Sequence, residues 1–257
     1  MTKQPSIIEA LRQMERGNVE ASPRWVRVRQ GDTLIADSHA PLLLVQFGPH
    51  VMPTYFFKLD EVDMSLLGTP VEQDNRRIWP VRVNGETIEN GAWTYINPSD
   101  HLAELANRIT FVWNGLLDWY EEAEQVYVHA RDPHKRVDTV ASSRHVQIRV
   151  NGEVIADTHD PYLLFETFLP TRYYIPREDV KMVYLTGTDH VSMCPYKGTA
   201  RYWSIEAGGE TLDNVVWSYP DPVIECPKIK DLLCFYNEKV DVYVDGELQP
   251  RPQTPWS

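Results

Sequence analysis

The segment Asp189-His190-Val191-Ser192-Met193-Cys194-Pro195-Tyr196-Lys197-Gly198 gathers the side chains best suited to chemistry. A cysteine attacks as its thiolate, and a neighbouring cation lowers its pKa. Lys197 and His190 both stand close enough to Cys194 in sequence to supply that cation. A histidine is the side chain best suited to general-base work near neutral pH, so His190 is also a candidate general base. Tyr196 can donate a hydrogen bond to an oxyanion. Lys197 can hold a carboxylate or phosphate, or form a Schiff base where it is desolvated. Gly198 permits a sharp turn or a close backbone approach to a ligand. The catalytic candidates are therefore Cys194, His190 and Lys197. Each has a plainer alternative: an inert buried thiol, a turn histidine and a solvated turn lysine. Their joint occurrence on one loop favours chemistry.

That loop stands out because the chain is a tandem duplication. Ile35-Ala36-Asp37-Ser38-His39-x-Pro41-x-Leu43-Leu44 returns as Ile155-Ala156-Asp157-Thr158-His159-x-Pro161-x-Leu163-Leu164. Such self-similarity decides the architecture and has to be read first. The offset between copies is 120 at Val26 and Val146, and 118 at Met64 and Met182. It is 124 at Trp79 and Trp203 and at Trp93-x-Tyr95 and Trp217-x-Tyr219, and 116 at Tyr127 and Tyr243. The second copy thus gains six residues between Met182 and Trp203, and the first gains eight around Phe111–Glu121. The six fall in the Cys194 segment. Copy one has Gln73-Asp74-Asn75-Arg76-Arg77-Ile78 there, without thiol, imidazole or Lys-Gly.

The elements that would position this segment read mainly as β. Trp25-Val26-Arg27-Val28-Arg29 and Val146-Gln147-Ile148-Arg149-Val150 alternate apolar and polar residues, as half-buried strands do. Asn84-Gly85, Asn151-Gly152, Gly208-Gly209 and Asp245-Gly246 predict tight two-residue hairpins. Short helices are expected after Pro98-Ser99-Asp100, through about Leu105–Trp113, and over Pro227 to Leu233. Ser6 and Glu9 form a capping box for an N-terminal helix over 5–17. The expected organisation is an N-terminal helical segment (1–20), a first repeat (21–136), a linker (137–144), a second repeat (145–250) and an extended tail (251–257) that Trp256 would dock.

Composition narrows the function. The net charge of −12 and the lack of a basic run argue against nucleic acid. Three cysteines make no disulfide framework, so a reducing, cytoplasmic setting is expected. No stretch reaches the roughly 18 apolar residues of a membrane span. His190-x3-Cys194 with Cys226 or Cys234 has tolerable zinc spacing, but the paired Cys-x2-4-Cys knuckles of structural zinc sites are missing. No metal and no cofactor is expected.

At Ala156-Asp157-Thr158, Tyr173-Tyr174-Ile175-Pro176-Arg177-Glu178-Asp179-Val180, Cys194-Pro195-Tyr196-Lys197-Gly198, Tyr202-Trp203 and Val216-Trp217-Ser218-Tyr219, the chain resembles a known family. This is domain of unknown function 427, also labelled a nucleotidyltransferase-like domain. The resemblance spans essentially all of copy two. Copy one matches in framework only: it lacks Cys-Pro-Tyr-Lys-Gly and has Lys58-Leu59 where copy two has Pro176-Arg177. The resemblance implies two antiparallel domains of the β-tent or Mss4-like kind, the first degenerate. Some relatives of that fold hold zinc in knuckles this sequence lacks. Others bind small ligands in an aromatic cage, which Tyr173, Tyr174, Trp203, Trp217 and Tyr219 would form here, with Arg177 and Tyr196 also contributing to ligand binding. Core packing is the alternative for those rings. Nucleotidyl transfer needs a Gly-Ser turn and closely spaced aspartates. The chain has no Gly-Ser dipeptide, and Asp60-Glu61-Val62-Asp63 reads as a solvated turn.

The expectation is a small-molecule pocket in the second repeat. Lys197 would hold an anionic group, and Cys194 with His190 would carry any covalent step on an anionic or carbonyl-containing ligand. Copy one would be an intramolecular pseudo-partner in a monomer. The alternative is a binding or interaction scaffold in which Cys194 is structural.

Overall fold

The computed structural model describes residues 17–48 and 51–254. The chain forms two compact units that divide between Asp132 and Pro133. In the first, the strands are β1 (Asn18–Ala21), β2 (Val26–Gln30), β3 (Thr33–Ser38), β4 (Leu42–Val45), β5 (Thr54–Lys58) and β6 (Val71–Gln73). They continue as β7 (Arg76–Val83), β8 (Glu86–Tyr95), β9 (Arg108–Phe111), β10 (Asp118–Glu121) and β11 (Glu124–Val126). The second unit has β12 (Val137–Ala141), β13 (Val146–Val150), β14 (Glu153–Thr158), β15 (Tyr162–Glu166), β16 (Arg172–Ile175) and β17 (Leu185–Cys194). It ends with β18 (Gly198–Ala207), β19 (Glu210–Ser218), β20 (Leu233–Phe235), β21 (Asp241–Val244) and β22 (Glu247–Leu248).

Each unit contains one seven-stranded and one four-stranded antiparallel sheet, in the same order. The large sheets run β1-β4-β5-β9-β8-β7-β6 and β12-β15-β16-β20-β19-β18-β17. The small ones run β11-β10-β2-β3 and β14-β13-β21-β22. Alternation explains how they pack. Val26 and Val28 are fully buried while Arg27 and Arg29 between and beside them point the other way. In the first unit these valines join Tyr55, Phe57, Val81, Ile109 and Phe111 of the large sheet in one core. The second unit repeats this with Val146, Ile148, Ile175, Ile205 and Val216. All four two-residue hairpins form as expected, with both turn residues at positive φ: Asn84 and Gly85, Asn151 and Gly152, Gly208 and Gly209, Asp245 and Gly246. Each buried aliphatic or aromatic side chain in these cores contributes about 1.5–3 kcal/mol.

Five expectations need correction or placing. The N-terminal helix over 5–17 lies almost entirely outside the described residues; Asn18–Ala21, just beyond it, is strand and pairs with β4. The stretch read as linker carries β12, which pairs with β15 as β1 pairs with β4. Its inward residues are Val137 and Thr139, one of them polar, so no apolar period marks it. The helix after Ser99 is a 3-10 turn that stops at Leu105. Asn107 then adopts a positive φ, and the β-prone run Ile109-Thr110-Phe111 enters the sheet as β9. The second such helix likewise ends at Ile229, and Leu233 begins β20. Finally, Tyr243 pairs with Gln147 as Tyr120 pairs with Arg27. Tyr120, not Tyr127, is therefore the counterpart of Tyr243, and the apparent eight-residue gain in copy one shrinks to one.

Candidate functional site

The six residues gained by copy two lengthen one hairpin. In copy one, β6 and β7 turn at Asp74-Asn75, with Gln73 opposite Arg76. In copy two the matching pair is Ser192 opposite Ala200, and the strands run on through Met193 opposite Thr199 to Cys194 opposite Gly198. A register shift between Gly187 and Val191 absorbs one further residue.

The new tip is fastened down. The Lys197 amide donates to the Cys194 carbonyl at 3.2 Å, closing a turn. The Val223 amide donates to the Lys197 carbonyl at 3.1 Å, and Gly198 bridges Pro222. Gly198 has φ +107°, and a Cβ there would meet the Asp221 carbonyl oxygen at 3.0 Å and Pro222 Cα at 3.3 Å. Only glycine fits both the backbone conformation and the space.

From this tip the Lys197 side chain reaches Glu166 at the end of β15, and the two form an ion pair. Lys135 binds the other carboxylate oxygen at 3.1 Å. All three side chains are withdrawn from solvent: Lys197 is 13% exposed, Lys135 6% and Glu166 5%. Burial works against the charge on each, but the pairing wins. Glu166 is held below the ordinary carboxylate range by Lys197 and Lys135, against the desolvation that pushes it up. Lys197 is raised above an ordinary lysine: burial pulls it down, and Glu166, Cys194 and Tyr219 more than offset that. It is a fixed ammonium rather than an amine ready for Schiff-base chemistry. Half-buried Cys194 is among the groups that interact electrostatically with it, as is buried Cys226. Tyr219 also faces it, its phenol pushed up by burial.

The remaining candidates divide. His190, Ser192 and Cys194 alternate along β17. His190 packs edge-on against Tyr202 with ring centroids 4.5 Å apart, and the Ser192 and Tyr202 hydroxyls are 2.7 Å apart. Four residues of strand put His190 about 13 Å along the chain from Cys194. Lys197, three residues from Cys194 across the tip turn, interacts electrostatically with the thiol. Tyr196 lies half-buried at the tip with the Lys135 ammonium 5.8 Å from its ring centroid.

The five aromatic candidates do not converge. Tyr174, Trp217 and Tyr219 are buried on one face of the large sheet, with Trp217 Nε1 donating to the Tyr174 hydroxyl at 3.2 Å. Tyr173 and Trp203 pack into the core on the opposite face, and Arg177 lies over Trp203 at 5.7 Å. Adjacent strand residues face opposite ways, so Tyr173 and Tyr174 cannot line one cage.

Sequence reading missed much of what surrounds Lys197. Besides Glu166 and Lys135, the same face holds Tyr202, Tyr236 and a bidentate pair between Arg172 and Glu238 at 2.7 and 2.8 Å. The tail joins it: the Thr254 hydroxyl donates to Glu238 Oε1 at 2.7 Å. The copy-to-copy difference was the available signal. Where copy two has Glu166, Arg172, Tyr174, Cys226 and Cys234, copy one has Gln46, Thr54, Phe56, Leu102 and Thr110. The equivalent face of copy one is an apolar cluster of Leu42, Leu44, Phe56, Leu102 and Leu105. There Arg76 covers Trp93 at 4.1 Å. Among the described residues, no three His, Cys, Asp or Glu side chains converge to hold a metal ion.

Fold and site together define a tandem all-β protein in which one repeat buries a charged, thiol-containing cluster on a sheet face that the other repeat fills with leucines, aromatics and uncharged polar side chains. The chain belongs to the family described as domain of unknown function (DUF427), whose pattern matches residues 18–123 and again 138–246. Among curated proteins, none matches the chain. No helix among the described residues is long and apolar enough to cross a membrane.

Proposed function

We propose that the second repeat acts on a small anionic or carbonyl-containing molecule at the Cys194–Gly198 tip, with Cys194 as the nucleophile. The observation that supports this is the Lys197 ammonium, ion-paired with Glu166 and three residues from Cys194 across the tip turn, a pairing that copy one lacks. A cation near a cysteine is the setting in which thiols act as nucleophiles. It also draws an anionic ligand to the same spot. His190 and Tyr202 stand further along β17 and β18, where they would contact the distal part of a ligand rather than move a proton at Cys194. Tyr196 and Tyr219 are the hydroxyls placed near the reacting end. Free thiols of this kind suit a reducing compartment such as the cytoplasm.

The test is competitive alkylation of native protein with iodoacetamide. Cys194 should react faster than Cys226 and Cys234, and Lys197→Met should slow it. Equal rates at all three cysteines would remove the nucleophile. A second reading has its own support: Lys197 is committed to Glu166, as a structural latch would be. In a binding or scaffold protein of that kind, Lys197→Met lowers stability and leaves the Cys194 alkylation rate of the folded protein unchanged.

A further inference from the structure

The tip of the β17–β18 hairpin is bound to a second turn that carries another cysteine. Three backbone hydrogen bonds run in series between them: Lys197 N to Cys194 O at 3.2 Å, Val223 N to Lys197 O at 3.1 Å, and Cys226 N to Val223 O at 2.9 Å. Cys194 and Cys226 thus open and close two consecutive turns that lean on one another. The absence of a side chain at Gly198 lets them approach, since a Cβ there would stand 3.0 Å from the Asp221 carbonyl.

Chemistry sets the two sulfurs apart from the third. Cys194 is half-buried, whereas Cys226 is only 3% exposed. The Cys226 thiol has the Thr139 hydroxyl at 3.7 Å, and it interacts electrostatically with Lys197 and with Cys194. Cys234 sits deeper, among Tyr174, Trp217 and Leu164, and burial pushes its thiol up to about 12. In copy one the Cys226 position is Leu102, and the Cys194 position does not exist.

We propose that Cys194 and Cys226 form a reactive dithiol that reduces small hydroperoxides, with Cys194 attacking and Cys226 resolving. This rests on the reading of Cys194 as a nucleophile. The Cys194 thiolate attacks one peroxide oxygen, the O–O bond breaks, and the other oxygen leaves as an alcohol or water after taking a proton. Cys194 is left as a sulfenic acid. The Cys226 sulfur then attacks the Cys194 sulfur. The S–S bond forms, the S–O bond breaks, and the oxygen leaves as water with the Cys226 proton. The two electrons that reduce the peroxide come from the two thiols, and a dithiol reductant returns them. Cα atoms of a disulfide lie about 4.4–6.8 Å apart, the spacing the two hydrogen-bonded turns must offer when the bond forms.

Reduced full-length protein treated with stoichiometric hydrogen peroxide tests the proposal by peptide mass mapping. The expected product has lost two thiols, yields a Cys194–Cys226 linked peptide, leaves Cys234 reduced, and is restored by dithiothreitol. Cys226→Ser should instead accumulate Cys194 sulfenic acid that dimedone traps, and Gly198→Ala should lower the yield of linked peptide severalfold. The wild-type result decides even where a variant folds poorly. Fast iodoacetamide labelling of Cys194 without any linked peptide would overturn the dithiol and leave the nucleophile standing. No selective oxidation together with slow labelling would overturn both.

Discussion

Lys197 and Glu166 come from opposite ends of the seven-stranded sheet of the second repeat, yet their side chains pair. Glu166 ends the strand next to one edge, and Lys197 lies at the tip of the hairpin that forms the other. The hairpin therefore curls across the sheet face, and the ion pair fixes how far it curls. Gly198 and the Val223 hydrogen bond hold the same tip from the backbone side.

Removing the carboxylate should be expensive. Glu166→Gln leaves the Lys197 and Lys135 ammoniums buried against a neutral amide, and breaking a buried pair costs about 3–5 kcal/mol. In a protein of this size that lowers Tm by on the order of 10 °C. Differential scanning calorimetry checks it. Gln46, at the same position in copy one, donates weakly to the Met52 carbonyl at 3.4 Å. Gln46→Glu should therefore destabilise as well, since among the described residues of the first unit the single lysine, Lys58, is exposed.

The pair also sets a pH window. Glu166 is depressed below its ordinary 4.5, so its contribution is present above pH 4.5 and is lost as pH falls through the lower folded value. Lys197 is raised above its ordinary 10.5, so its contribution is complete below pH 10.5 and fades only as pH rises through the higher folded value. The stability difference between wild type and Glu166→Gln, followed by urea unfolding, should be flat from about pH 5 to 10 and shrink below pH 4. Arg172 depresses Glu238 in the same direction, so the wild type alone should lose further stability in acid.

Tyr202 offers a smaller perturbation. Its hydroxyl stands 2.7 Å from Ser192 Oγ, and it interacts electrostatically with Tyr236. Tyr202→Phe should cost about 1–2 kcal/mol. It leaves the ring against His190, so chemical denaturation should report the loss while the fold stays intact.

Exchanging the residue at one matched position should destabilise both repeats, and unequally. Arg76 lies over Trp93 at 4.1 Å and over Tyr95 at 5.8 Å. Arg76→Ala should cost about 0.5–1 kcal/mol. Its counterpart Ala200 is fully buried in the charged cluster. Ala200→Arg should cost about 3 kcal/mol or more, because it adds volume and a further cation to a packed face. Thermal melts of the two single variants decide this.

How much of this could be read from the chain depends on distance along it. The duplication, the four tight hairpins and the six-residue excess at Cys194 are local patterns, and the structure carries them over. Tyr173 and Tyr174 are adjacent on the strand Arg172–Ile175, where successive side chains face opposite ways, and that strand was not assigned from the sequence. Tyr127 was matched to Tyr243 by residue type alone, and pairing with β2 and β13 shows Tyr120 in that role. Glu166 was the hard one. It ends the apolar run Tyr162-Leu163-Leu164-Phe165, thirty-one residues from Lys197, and only the substitution Gln46 to Glu166 between copies hinted at a buried carboxylate. Lys135 lies before the repeat as first bounded, in a stretch without periodic signal.

The contrast between a hydrocarbon face in one repeat and a charged one in the other bears on how a tandem chain avoids misassembly. Neighbouring domains of like sequence can exchange strands while they fold. Here β4 and β5 installed in place of β15 and β16 would bring Gln46 and Thr54 where Glu166 and Arg172 belong. Lys197 would lose its carboxylate partner and Glu238 its guanidinium, stranding buried charge inside the hybrid. The reverse exchange would thrust Glu166 and Arg172 among the leucines of copy one. Either chimera is penalised by several kcal/mol, so the divergence of the two interiors acts as a proofreading device that keeps each strand with its own half of the chain.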